Sequence, residues 1–159
     1  MLSSRKATAP RGPIGRDARS FVWGSLAAKA QSTAEIEAKL AARGVSAETA
    51  AATIAEALRL GFLDDAGLAG QLVRGFRDRG YGRRRAAQTL RRRGIPELLA
   101  VRAIDDAYRD GDESELARRA LRERPVHDAP AQRRAAAFLV RRGFSASAAW
   151  SAVRSSQPP

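Results

Sequence analysis

Residues 61–95 decide the fold class, and they read GFLDDAGLAGQLVRGFRDRGYGRRRAAQTLRRRGI. Between Leu68 and Phe76 the apolar residues recur at helical spacing, which predicts an α-helix up to the glycine break at residues 80–82. A second, arginine-loaded helix follows the break and stops at Gly94, directly before a hydrophobic residue. Such an ending is typical of a helix that closes with a left-handed glycine and an apolar contact.

The same helix ending occurs three times in the chain. It consists of a leucine, three residues, a glycine and a hydrophobic residue, and it stands at Leu40–Val45, Leu90–Ile95 and Leu139–Phe144. The successive leucines are 50 and 49 residues apart, and this near-equal spacing predicts an internal repeat. Apolar residues also recur eleven residues after each leucine, at Ala51, Val101 and Trp150, and fourteen residues after it, at Ile54, Ile104 and Val153. We expect both sets to be shared core positions, and Leu58 and Leu60 to join Ile54 on the apolar side of their helix.

Helix-favouring residues dominate the whole chain. Alanine is abundant and aromatic residues make up only 6% of the 159 residues, so the propensities favour helix almost throughout. We expect an all-α protein of three tandem three-helix repeats, with about nine helices in an elongated, curved array. The repeats are expected at residues 17–63, 64–111 and 112–155. A flexible basic arm is expected at residues 1–16 and a frayed tail at 156–159.

Two carboxylates stand side by side at Asp64 and Asp65. The pair invites an acid/base or metal-site interpretation, but no third ligand is near in sequence. An N-cap at Asp64 and a first-turn acid at Asp65 account for both residues. We also expect Pro96 to occupy the first position of a later helix, where its missing N–H costs nothing.

The residue types exclude several classes of chemistry. The chain has no cysteine and only one histidine, His127, which removes disulfides, thiolate metal sites and most nucleophile–histidine pairs. No phosphate loop or metal cluster is visible. We therefore expect no enzyme, no catalytic residue, no metal and no cofactor.

No membrane segment is apparent. No apolar run approaches the roughly 18–20 residues that span a bilayer, and the N-terminal MLSSRKATAPRGP lacks the apolar core of a signal peptide. We expect a cytoplasmic protein without a membrane partner.

The formal net charge is +12, and all but three of the 29 basic residues are arginine. Divided after residues 63 and 111, the chain carries +4 in each third, so the charge is not confined to a tail. Such a field attracts polyanions, and arginine suits bidentate contact with phosphate or carboxylate. A GC-rich genome would also favour arginine over lysine, but the net positive excess still predicts an anionic partner.

The arginine-loaded helix carries its charges on one side. With Leu90 in the core and about 100° per residue, Ala86 and Ala87 face inward. The opposite side holds Arg84, Arg85, Gln88, Arg91 and Arg92. The equivalent positions of the third repeat are Arg133, Arg134, Ala137, Val140 and Arg141, and those of the first are Ala34, Glu35, Ala38, Ala41 and Ala42. A solvated face normally mixes signs, so four arginines without an acid favour a binding face over simple solvation.

Tyr81 stands between two glycines next to this helix. It is either a core plug at the helix junction or an exposed group that stacks beside the arginines. A three-helix unit with a basic helix also describes a helix-turn-helix DNA reader. Only Gln88 and Thr89 could discriminate base edges here, so contact with phosphates or acidic surfaces fits better than sequence readout.

The chain resembles the RecX family of recombination regulators. The resemblance rests on these elements: Gly61–Asp65, Leu68-Ala69, Val73, Arg79–Gly82, Leu90 and Arg93–Ile95. It extends over about residues 18–155 and is most specific in the second repeat. Leu68 replaces the aromatic residue that the family usually carries there. The basic arm and the loop around His127 have no counterpart that we can match.

The resemblance implies tandem three-helix repeats and a non-enzymatic protein that lodges in the groove of the RecA–single-stranded DNA filament. Such a protein dampens strand exchange and ATP hydrolysis in DNA repair and SOS recombination. The implied partner is the RecA filament. We also expect contact with single-stranded and double-stranded DNA without sequence preference, and a monomeric protein. The implied contact face is Tyr81, Arg84, Arg85, Arg91 and Arg92, extended by Arg133, Arg134 and Arg141. The alternatives are a sequence-independent DNA-binding helical protein and a scaffold without a polyanion partner.

Overall fold

The computed structural model describes residues 13–109, 111–122, 124 and 126–156, with the side chains of residues 13–16 excepted. The described part contains nine α-helices and no strand. They are α1 (Pro13–Ala28), α2 (Thr33–Ala42), α3 (Ala47–Arg59), α4 (Asp65–Asp78), α5 (Arg83–Arg92), α6 (Glu97–Ala107), α7 (Glu113–Leu121), α8 (Ala129–Arg141) and α9 (Ala146–Ser155). The predicted all-α fold of three-helix repeats is confirmed.

The helices group into two compact units. The first comprises Met1–Leu68 with Arg93–Ile95, and the second comprises Ala69–Arg92 with Pro96–Pro159. In the first unit α1 and α2 pack on α3, and in the second α5 packs on α6 while α7, α8 and α9 pack on one another. Most of the predicted arm, residues 1–12, lies outside the described residues, as does most of the predicted tail. The repeat boundaries stay a prediction, although α1 already begins at Pro13.

Side-chain caps define most helix starts. Ser32 caps α2 and forms a reciprocal capping box with Glu35, which satisfies two N–H groups that the helix itself cannot pair. The Asp64 carboxylate accepts a hydrogen bond from the Gly67 N–H at 2.9 Å, as its predicted capping role requires. Pro96 differs from expectation because it is the N-cap of α6 and not its first helical residue. Its ψ of 137° is extended.

The recurring helix ending closes as its sequence predicts. Gly44 and Gly143 have φ angles of 72° and 93°, a left-handed region that costs glycine little. The N–H groups of Val45 and Phe144 then donate to the carbonyls of the leucines five residues earlier, each at 3.2 Å. These bonds pair carbonyls that would otherwise be unsatisfied at the helix end.

Each unit has its own apolar core. The first is built around Val22, Ile36, Leu40, Ala57 and Leu63, and the second includes Leu121, Leu139, Phe144, Ala149 and Val153. Of the repeat positions that we expected in the core, those fourteen residues after each leucine are buried: Ile54, Ile104 and Val153.

The positions eleven residues after each leucine are exposed, which contradicts our expectation. Val101 and Trp150 are 48% and 39% exposed, and Ala51 is also exposed. The buried stripe of α3 follows Ala50, Ile54 and Ala57, and Ala51 lies about 100° around the axis from Ala50. The apolar type of these residues therefore led us to assign them to the wrong face of their helices. Leu58 and Leu60, at 45% and 44% exposure, fail as core residues for the same reason.

Candidate functional site

Helix α5 presents its arginines on one side. Ala86 and Leu90 are fully buried, and Ala87 is half-buried. The exposed side chains are Arg84, Arg85, Gln88, Arg91 and Arg92. This division follows from the helical period because one apolar stripe fixes the rotation of the helix about its axis.

Arginines at the two ends of this segment are held by the protein. Arg83 donates to the Asp105 carboxylate at 2.9 Å and to the Tyr108 carbonyl at 3.1 Å. Arg93, directly after α5, donates to both carboxylate oxygens of Glu35, at 2.9 and 2.6 Å. The four exposed arginines between them form no ion pair with any residue that the structure describes. Their guanidinium groups therefore face solvent with their charge uncompensated within the described chain.

Helix α8 repeats this division more weakly. Its buried side holds Ala131, Ala135, Ala136 and Leu139. The predicted site residues Arg133, Arg134 and Arg141 are exposed, and they too form no ion pair within the described ranges. Val140 stands among them at 44% exposure, so the surface is mixed basic and apolar.

Tyr81 is half-buried and combines parts of both predicted roles. Its ring meets Phe76 edge to face, with the centroids 5.5 Å apart, and the Arg142 guanidinium lies 4.6 Å from its centroid. The Tyr81 carbonyl accepts a hydrogen bond from the Tyr108 hydroxyl at 2.7 Å. Tyr81 is thus fixed in place by packing, and the group stacked on it is an arginine of the protein itself.

The start of α5 contacts the end of α8 directly. The Gly82 N–H donates to the Arg142 carbonyl at 2.9 Å, and the Arg84 N–H donates to the Gly143 carbonyl at 3.1 Å. A Cβ atom on Gly82 would lie 2.3 Å from the Gly143 oxygen, so only glycine permits this approach. The structure therefore brings the beginning of one predicted arginine helix to the end of the other.

The remaining candidates for chemistry have structural roles. Asp65 accepts a hydrogen bond from the Thr33 N–H at 2.9 Å. His127 is exposed and its Nε2 lies 3.5 Å from the Asp128 carboxylate, while the other oxygen of that carboxylate caps α8. Among the described residues, no group of three histidine, aspartate or glutamate side chains could hold a metal. None of the described helices is long and apolar enough to cross a membrane.

Comparison with known proteins identifies the family. The family model described as RecX, second three-helix domain, matches residues 64–104. A Regulatory protein RecX from Stenotrophomonas maltophilia is 35% identical over 123 residues, which are 76% of this chain and 76% of the relative. The chain belongs to the RecX family. A RecX protein from Mycolicibacterium vanbaalenii is 32% identical over 150 residues, covering 87% of this chain and 82% of the relative.

A solved RecX structure agrees with the fold. The crystal structure of RecX from Lactobacillus salivarius superposes with a TM-score of 0.74 and covers 89% of this chain and 96% of that one, at 18% identity. The RecX family model spans α4, α5 and most of α6, so the exposed arginines of α5 lie within the second three-helix domain of the family.

The structure adds residues that the sequence prediction missed. The Arg142 guanidinium lies between two aromatic rings, 4.6 Å from the Tyr81 centroid and 4.9 Å from that of Phe138. Arg79 lies 5.0 Å from the Phe76 ring, and Phe76 contacts Tyr81. A continuous series of arginine–aromatic and aromatic–aromatic contacts therefore runs from Arg79 to Phe138.

A signal for Arg142 was present in the sequence. Arg142 stands 49 residues after Arg93, as the residue that precedes the glycine of the repeated ending. The sequence prediction considered only residues opposite the core leucine, and these two arginines lie beside the helix end.

Proposed function

We propose that this chain is a non-enzymatic regulator that binds the groove of the RecA–single-stranded DNA filament and inhibits recombinase and ATPase activity in SOS repair. Its curated relatives are named regulatory proteins. The observation that carries the proposal is the exposed arginine side of α5 in a chain of this family. In this proposal the protein acts as a cytoplasmic monomer.

The charge of this side suits such a groove. Arginine forms paired hydrogen bonds with carboxylates and phosphates alike, and a filament of protein and DNA presents both. The four exposed arginines of α5, Arg84, Arg85, Arg91 and Arg92, form no ion pair with described residues, so binding would not require a competing salt bridge to break.

We assign the contact face to Tyr81, Arg84, Arg85, Arg91 and Arg92, with Arg133, Arg134 and Arg141 as its extension. The contact between Gly82 and Gly143 supports treating the two arginine groups as parts of one face, because it joins the helices that carry them. Tyr81 would act mainly by positioning the start of α5, since its ring already packs on Phe76 and Arg142.

The alternative is a sequence-independent DNA-binding protein. The exposed side of α5 offers arginine and Gln88, while Thr89 is half-buried and accepts a hydrogen bond from Arg92. Few groups are thus free to read bases, and phosphate contact would dominate such binding.

The rate of ATP hydrolysis by RecA filaments on single-stranded DNA distinguishes the two functions when this protein is titrated in at near-physiological salt. A filament regulator inhibits well below the amount that covers the strand. A DNA-binding protein has no effect until the strand is saturated, and its affinity for DNA alone falls steeply with salt. Inhibition only at saturation would therefore overturn the proposal in favour of the alternative.

A further inference from the structure

Arg93 and Arg142 stand at equivalent positions of two repeats, but the protein binds their side chains differently. Arg93 donates to the Ala30 carbonyl at 3.0 Å and is neutralised by the bidentate pair with Glu35. Arg142 contacts the stretch of the second repeat that is equivalent to Ala30. Its Nη1 donates to the Arg79 and Gly80 carbonyls at 2.7 and 3.0 Å. These carbonyls satisfy hydrogen bonds of Arg142, but they bring no negative charge.

The counterpart of Glu35 in the second repeat is Arg85, 50 residues later. A cation, Arg85, thus stands in the second repeat where Glu35 neutralises Arg93 in the first. Arg142 therefore lacks the carboxylate that neutralises Arg93, and an anion from outside the chain would supply the missing negative charge.

A cavity of about 410 Å³ adjoins Arg142. Its charged lining residues are Arg77, Arg79, Arg119, Arg122, Arg142 and Asp78. Arg119 is paired with Glu115 at 3.1 Å, but the other four arginines form no ion pair with described residues. Four arginines without an ion pair to a described residue line this cavity beside one aspartate, so its lining carries a net positive charge.

Arg77, which also lines the cavity, has an unsatisfied donor. Its Nε is buried and has no hydrogen-bond partner among the described residues. Buried polar groups are nearly always paired, because leaving one unpaired costs free energy.

We propose that this cavity binds a phosphate group of a nucleotide. A phosphate carries more negative charge than a carboxylate. It also offers several acceptor oxygens, so that several guanidinium groups can donate to it at once. The volume lies within the range of small-molecule sites, and Tyr81 is one of the residues that line it. The nucleotide comes either from a free nucleoside phosphate or from one unit of a nucleic-acid strand.

Arg122 offers a variant that removes charge without loosening the fold. Its φ of 51° and ψ of −126° are rare for a residue other than glycine. Arg122→Gly therefore deletes one lining guanidinium and relaxes the backbone. Arg119→Gln is a second variant at an exposed position, and Arg102→Gln, on the exposed side of α6 and outside the cavity, is the control with the same change in net charge.

The test is isothermal titration of the full chain, without RecA, at low salt. The probes are inorganic phosphate, thymidine monophosphate, thymidine and a thymidine trinucleotide without terminal phosphates. We expect one saturable site for a phosphate-bearing probe, and none for thymidine. Arg122→Gly and Arg119→Gln should each weaken this binding about tenfold or more, while Arg102→Gln leaves it within twofold.

The probes also separate the two sources of the nucleotide. Binding of the monophosphate assigns a free nucleotide, and binding of the trinucleotide alone assigns a strand. The proposal is overturned if no phosphate-bearing probe saturates, if both cavity variants bind like the parent, or if Arg102→Gln weakens binding equally. Because RecA is absent, none of these outcomes depends on the proposed regulatory function.

Discussion

The Tyr108 hydroxyl donates to the Tyr81 carbonyl at 2.7 Å, and Tyr108 is only 2% exposed. Tyr108 is the residue that ends α6, so this hydrogen bond ties the end of α6 to the turn that introduces the arginine helix α5. The buried Tyr108 side chain therefore contacts the segment that carries the candidate face.

Tyr108→Phe should lower the free energy of unfolding by about 1 kcal/mol, because it removes this hydrogen bond while keeping the ring. Urea denaturation measures the change. Tyr81→Phe is the matched control, since the Tyr81 hydroxyl has no hydrogen bond to a described residue. Equal losses in the two variants would contradict the role given to the Tyr108 hydroxyl.

The same residue predicts an alkaline transition. Burial raises the pKa of Tyr108 to about 12 from its ordinary value of 10.0. The folded state therefore favours the neutral phenol, and its contribution to stability is complete below pH 10 and lost as the pH rises towards 12. The free energy of unfolding should fall across this window, and Tyr108→Phe should flatten that fall. A fall of the same size in both proteins would assign it to other groups.

The bidentate pair of Glu35 and Arg93 predicts an acid-side effect. The hydrogen bond from Arg93 lowers the pKa of Glu35 from its ordinary value of 4.5. The contribution of ionised Glu35 to the free energy of unfolding is thus present above its ordinary pKa. It is lost as the pH falls through the lower pKa of the folded state. Both side chains are partly exposed, so Glu35→Gln should cost only about 1 kcal/mol at neutral pH.

Glu37→Gln is the control for this pair because Glu37 lies exposed on the same helix. Denaturation measures the free energy of unfolding of both variants at pH 7 and at pH 3. At pH 7 Glu35→Gln should be less stable than the control, and this difference should shrink at pH 3. A difference that persists unchanged in acid would argue that shape, and not charge, holds this contact.

The helix-ending glycines separate backbone strain from steric conflict. Gly44 has a φ of 72° and open space where a Cβ would stand, whereas a Cβ on Gly143 would lie 2.4 Å from the Arg85 nitrogen. Gly44→Ala should therefore cost about 1–2 kcal/mol, the cost of the left-handed backbone alone. Gly143→Ala should cost about 3 kcal/mol or more, because the start of α5 must also move. Thermal unfolding compares them, and equal costs would refute the tight contact.

Charge reversal tests the candidate face. Arg84→Glu with Arg85→Glu should weaken binding to RecA filaments about tenfold per reversed charge and leave the helical circular dichroism unchanged, since both side chains are exposed. The control variant, Arg102→Glu with Arg154→Glu, has the same net charge and also alters exposed residues. Undiminished inhibition by the first variant, or equal loss in both, would show that the face lies elsewhere.

The fold was predictable because it follows from local patterns. The glycine endings of Leu40–Val45 and Leu139–Phe144 depend only on neighbouring residues, and so do the cap at Asp64 and the exposed side of α5. Val101 and Trp150 could not be placed in this way, because apolar type does not specify the rotation of a helix in a packed unit.

The surroundings of Arg142 were less accessible to sequence reasoning. They combine residues from α4, α7 and the segment after α8 that are up to 67 positions apart, and no periodicity within one helix predicts such a combination. Only a comparison of Arg142 with its repeat equivalent Arg93 would have indicated that Arg142 contacts a distant part of the chain.

The contact between Gly82 and Gly143 makes the first turn of α5 dependent on a distant part of the chain. The N–H groups of Gly82 and Arg84 find their acceptors at the end of α8, and the negative end of the α8 dipole meets the positive end of the α5 dipole. A chain cut after α7 would keep every arginine of α5 but lose the partner that holds the start of that helix in order. Damage to the third repeat would thus disable the second repeat by fraying, even where the second repeat's sequence is intact.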